Sequence, residues 1–148
     1  MSGTAEVYAA LKARLLAASP GAALPAASVA WENKAFTPTA GTRYYRATFL
    51  PGIPRSAGIG LAPMRHVGVF AVDIFEPAGR DHVAVTAEAE RIVAAFQRGL
   101  SLSYSGIVVH IDRSYVSRIG VTQDKEQPDP AWFQVPVRIE WRADVPLV

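Results

Sequence analysis

Phe133-Gln134-Val135-Pro136-Val137-Arg138-Ile139-Glu140-Trp141-Arg142-Ala143-Asp144 holds an apolar residue at every second position from Phe133 to Ala143. A period of two belongs to a β-strand that packs one face on a core and turns the other to water or a partner. Strands of an all-parallel sheet are covered on both faces and read as near-continuous apolar runs instead. The alternation therefore points to a largely antiparallel sheet with one uncovered face. That face carries Arg138, Glu140 and Arg142, charges of both signs, which suit contact with another protein better than a buried active site. Pro136 has no N–H to give to a ladder, so it is expected at an edge or a bulge, where an open edge would admit another subunit.

Upstream of this strand the pattern changes repeatedly between helical and extended. Val7, Tyr8, Leu11, Leu15 and Ala18 recur at spacings of three and four, predicting a helix capped by Thr4 and stopped by Pro20-Gly21. Val29-Ala30-Trp31 reads as a short strand, and Arg43 to Leu50, rich in aromatic and β-branched residues, as a longer one. Pro51 to Pro63 is a long loop, a type usually functional or mobile in a compact domain. Val67 to Phe75 is apolar on both faces and predicts a central strand with cover on both sides. Asp81 is placed to cap a second helix to about Arg98, with Val85, Ala89, Ile92, Val93 and Phe96 inward and Glu88, Glu90 and Arg91 outward. Gly99 is placed to end it. Leu100 to Tyr104 and Ile107 to Ile111 form a hairpin about Ser105-Gly106, and Tyr115 to Val121 extends the sheet. The order helix, strands, helix, strands is that of an α+β fold: a largely antiparallel twisted sheet with two α-helices packed on one face.

At 148 residues the chain is expected to be a single domain, residues 1–148, able to bury its own core. It has no cysteine, which excludes disulfides and thiolate metal sites. The first residues carry no secretory pattern, and no apolar run approaches the roughly 20 residues that cross a bilayer. A soluble protein without a membrane partner is expected.

Tests for chemistry come back empty. His66, His82 and His110 are far apart, with no pair at helical spacing, so neither a metal nor any other cofactor is implied. Ser103-Tyr104-Ser105-Gly106 lacks the first glycine of a nucleophile elbow. Gly58-Ile59-Gly60-Leu61-Ala62-Pro63 puts proline where a dinucleotide loop needs its third glycine, and a strand follows it where a helix N-terminus is required. Asp73 and Glu76 point to opposite faces of one strand; Asp73 on an apolar face reads as a salt-bridge partner before a catalytic acid. No catalytic residue is named, and no enzyme is expected.

Charge is distributed more informatively than its sum of +2. Between Glu32 and Asp73 there is no acidic residue, while Lys34, Arg43, Arg46, Arg55 and Arg65 all fall there. The remainder of the chain is net acidic, with Asp124, Glu126 and Asp129 close together in a polar loop. The bland account is a solvated face; the sharper one is a basic patch for an acidic partner or phosphate.

Several stretches resemble a known family. They are Trp31-Glu32-Asn33-Lys34-Ala35-Phe36-Thr37-Pro38, then Tyr44-Tyr45-Arg46-Ala47-Thr48-Phe49-Leu50-Pro51, and Gly68-Val69-Phe70-Ala71-Val72-Asp73-Ile74-Phe75 with its Pro-Ala-Gly turn and helix. With the final strand they look like the tail-terminator, or tail-completion, proteins of long-tailed bacteriophages and prophages. The resemblance implies a structural subunit of the virion tail, built in the host cytoplasm. Such a subunit assembles with itself into a hexameric ring that caps the tail tube, stops its polymerisation and joins it to head-completion proteins. A ring subunit needs two different complementary surfaces. Arg55 and Arg65 are candidates to meet a tube protein, a neighbouring subunit or the DNA in the channel. Asp124, Glu126 and Asp129 are candidates for the facing surface, and Arg138, Glu140 and Arg142 for a further contact. The alternatives are another head–tail connector or minor tail component and, from a different class, a small ligand-binding or enzymatic α+β domain or a DNA-contacting factor.

Overall fold

The computed structural model describes residues 3–60, 62–117, 120–122 and 132–146. Helix α1 (Thr4–Leu16) is followed by a 3-10 turn and strands β1 (Val29–Trp31), β2 (Tyr44–Pro51), β3 (Arg55–Ser56) and β4 (Met64–Pro77). Helix α2 (His82–Ala95) then leads to β5 (Ser101–Tyr104), β6 (Ile107–Val116), β7 (Gly120–Thr122) and β8 (Trp132–Val145). The strands form one sheet in the order β1-β2-β4-β8-β6-β5, with β3 added on β4 and β7 on β8. Every pairing is antiparallel except β1 on β2, so the sheet is mixed. The fold is α+β, with both helices on one face.

β8 and β4, each 14 residues long, pair along their whole length, from Met64 opposite Val145 to Pro77 opposite Trp132. The odd-numbered residues from Val135 to Val145 on β8 are all buried, facing the helices. Phe70, Val72 and Ile74 of β4 and Val109 and Ile111 of β6 join them. Against this inner face α1 packs Val7, Leu11 and Leu15, and α2 packs Val85, Ala89 and Ile92. α1 touches both flanks of the sheet: it packs on β5 and β6, while Tyr8 stacks on Phe49 of β2 at 4.1 Å. The sheet therefore curls around the helix pair.

Three expectations need correction. Pro136 lies in an interior strand, between β4 on one side and β6 and β7 on the other, so no open edge exists there. Its carbonyl accepts from Ser117 N at 2.7 Å on the side where β6 has ended and β7 not begun. N–H and C=O of one strand residue point the same way, so the missing donor falls at that interruption. Secondly, Thr4 opens α1 without capping it; Gly3 is the N-cap residue, in a left-handed conformation, and the helix ends at Leu16. Val145 lies 2.5 Å from where a Cβ on Gly3 would stand, so close packing as well as conformation calls for glycine. Thirdly, α2 ends at Ala95, and Gly99 instead donates its N–H to Ile111 O in the turn into β5. Asp81 does cap α2, its Oδ1 accepting from Val83 N at 3.0 Å. At the hairpin tip Ser105 and Gly106 both have positive φ, as a two-residue turn between twisted strands requires.

Candidate assembly surfaces

The even-numbered residues of β8 lie on the face away from the helices, and the charged ones are paired within the chain. Arg138 Nη1 donates to Asp73 on β4 at 2.8 Å. Glu140 accepts from Arg113 on β6, and Arg142 Nε donates to Asp112 on β6 at 3.0 Å. Asp144 accepts two bonds from Arg65 on β4, at 2.8 and 3.1 Å. The register of β6 against β8 shifts between Ile111 and Arg113, inserting Asp112. That bulge sets an acid and a base side by side outward, and so supplies a partner for both Arg142 and Glu140. Exposed pairs of this kind add little to stability, because solvent screens them. Together they make the centre of the outer face an electrically balanced surface. Arg138 and Asp73 differ from the rest, because Asp73 is buried.

Arg55 and Arg65, distant in the loop as sequence, are directly opposite each other across the β3–β4 pair. Arg65 is neutralised by Asp144, whose carboxyl is held below its usual range by that guanidinium. Arg55 is exposed and makes no ion pair among the described residues. The arm around it projects Ile53 and Ile59, 80% and 102% exposed, and Leu50 and Val67 beside it are also exposed. The sequence pointed to this arm through its charge and length; its exposed isoleucines carry the apolar part. Asp124, Glu126 and Asp129 lie outside the described residues.

At the opposite end of β2 and β4 two further groupings form. On the helix side Arg43 bonds Glu76, which also accepts from Arg80 at 3.3 Å, while the Tyr45 hydroxyl donates to Glu88 at 3.0 Å. Glu88 also accepts from Arg91, which reaches the Ala22 carbonyl. Glu88 thus turns toward a polar cluster and not outward, since the curl of the sheet brings Tyr45 and Arg43 over α2, while Arg91 stays exposed as expected and reaches across to it. Burial resists ionisation of Glu88, but the bonds from Arg91 and Tyr45 and the nearby Arg43 hold its pKa below the ordinary value. Burial, then the charge of Glu88, pushes the Tyr45 phenol up to about 12. These groups tie α2 to the sheet and present no converging set around an open space.

On the other side of the same end is an aromatic-walled groove of about 350 Å³, lined by Trp31, Phe36, Pro38, Tyr44, Lys34 and Arg46 among others. The charge count of the segment already contained both cations, but only the pairing of β1 on β2 brings Trp31 beside them. No group of three or more metal-ligating side chains occurs among the described residues. No helix among them is long and apolar enough to cross a membrane.

Two solved chains match this one. One, whose name carries no functional description, aligns over all of this chain and all of its own, with 24% identity and a TM-score of 0.72, and so supports the fold. No curated protein matches the chain significantly. The family described as phage tail terminator protein matches residues 6–141, which takes in α2, all but the first two residues of α1, and all of the described sheet except the last residues of β8. A virion structural role accounts for what the geometry offers, an uncovered sheet face and a projecting arm: the chain belongs to the phage tail terminator proteins.

Proposed function

We propose that copies of this protein associate into a ring, six-membered by the resemblance, that closes the end of the tail tube. The ring halts tube growth and offers its other face to a head-completion protein. The observation that carries this reading is the family match over residues 6–141. It is supported by the unlike surfaces of the subunit, since head-to-tail contacts close into a ring only when two different patches fit each other. The arm with Arg55, Ile53 and Ile59 is the proposed contact to the tube protein or a neighbour, and the channel DNA is a further anionic contact for Arg55. Arg65, Arg138, Glu140 and Arg142 shape the surface from within their ion pairs, and Asp124, Glu126 and Asp129 face a basic surface.

Light scattering and negative-stain imaging, with and without tube protein, test the reading. Rings or tubes of capped length are expected; a monomer that leaves tube length unregulated refutes it. Arg55→Glu is the cleaner charge reversal, because Arg65→Glu would also set a second carboxylate beside Asp144. Ile53→Ser with Ile59→Ser should change stability by no more than about 0.5 kcal/mol, these side chains being outside the core. The same variant should weaken assembly or capping, and unchanged assembly would remove the arm from the interface.

A further inference from the structure

The groove beside β1 has a specific chemistry. Trp31, Phe36 and the largely buried Tyr44 line it, with the rings of Phe36 and Tyr44 tilted together at 5.4 Å between centroids. Lys34 and Arg46 line it, both exposed and without a carboxylate partner among the described residues. Arg46 is held over the Phe75 ring at 5.0 Å, and Lys12 of α1 lies 4.6 Å from the Trp31 centroid. The opposing charge is Glu32, one oxygen of which accepts from Phe49 N at 2.8 Å. Two lining cations against one engaged carboxylate leave a positive, aromatic slot. Aromatic-lined grooves take extended proline-containing segments, and flanking cations select acidic ones.

The sequence contains such a segment. Residues 123–130 carry Asp124, Glu126 and Asp129 against Lys125, with Pro128 and Pro130. Gln127 and Asp129 precede prolines, positions biased to extended backbone. We propose that this groove seats residues 123–130 of a second copy of the chain, prolines on the rings and carboxylates toward Lys34 and Arg46. The inference rests on the ring reading and gives it a head-to-tail contact: slot on one subunit, acidic segment on the next.

A synthetic peptide of residues 122–131, titrated into the full chain while NMR follows the Trp31 indole and Thr48, tests the slot without requiring assembly. Saturable shifts there are expected, weakened by salt and by about tenfold in Lys34→Glu/Arg46→Gln. Lys34→Glu alone, on an exposed loop, should show the same direction if the double variant folds poorly. A peptide with its three acids changed to lysine should bind the reversed slot and not the native one. Chains carrying Lys34→Glu/Arg46→Gln and chains carrying Asp124→Lys/Glu126→Lys/Asp129→Lys should each assemble poorly alone, and mixing the two should restore assembly, alternating copies matching every contact. Absence of peptide shifts, or reversals that leave assembly intact, overturns the inference while leaving the ring in place. Restoration only when both sets of changes share one chain would place the segment in its own slot, which also overturns it. Peptide binding by a wild-type chain that never forms rings supports the slot and refutes the ring.

Discussion

Among the described residues, Arg138 and Asp73 carry the one ion pair of the outer face in which a carboxylate is buried. Removing one partner strands the other in a poorly solvated place. Arg138→Ala should therefore cost about 2–4 kcal/mol in urea unfolding, somewhat under the loss for a fully buried pair. A variant replacing both residues with apolar ones of similar volume should recover most of it. Gly68 is constrained differently: a Cβ there would stand 2.7 Å from the Trp141 ring and 2.8 Å from the Leu50 carbonyl. Backbone cannot yield as a flexible side chain does, so Gly68→Ala should destabilise by about 1–3 kcal/mol in the same assay. The charge of Asp73 was legible in sequence as a salt-bridge partner on an apolar strand face. Which arginine would answer it was not, because that depends on the β4–β8 register, and here register brings together residues 65 positions apart.

At the scale of elements, α2 is held by its cap and by its polar contacts with the sheet. Asp81→Ala should lower stability by about 1 kcal/mol, read as a lower melting temperature. Glu88 and Asp144 both have lowered pKa values. Their stabilisation is present above the ordinary carboxylate range and is lost as pH falls through their folded values, so the chain should destabilise progressively in acid. Glu88→Gln should flatten that slope. Tyr45 runs the other way: its phenol, raised from 10.0 to about 12, is stabilising only while protonated, and stability should fall as pH rises through that interval. Strand and helix identities were readable because period-two and helical stripes leave a direct mark. Glu88 was misplaced on the outside, unlike the exposed Arg91, because helical spacing locates a face relative to its own axis only. The curl that carries Tyr45 and Arg43 over that face belongs to the sheet.

For the whole molecule, the single α+β layer order followed from the strand and helix sequence, and the parallel β1–β2 contact did not. Three residues of β1 contain too little pattern to state a direction. The candidate surfaces divide similarly. Arg55 was visible as a charge in an acid-free segment, whereas the slot between Trp31 and Arg46 is created by pairing and has no contiguous motif.

β8 is paired on both sides, yet it comes after every other element along the chain. Until residue 145 has been synthesised, β1 to β4 and β5 to β6 are two separate part-sheets whose inner edges have nothing to pair with. Folding must therefore wait for the last strand, and its many distant contacts predict a slow approach to the native state. Unpaired edges recruit one another. Chains released by a stop codon before Trp132 should accumulate as insoluble aggregates in pelleting assays, whereas chains extending through Val145 should remain in solution. Ribosomal output, in this architecture, becomes competent for assembly only once the closing strand is in place.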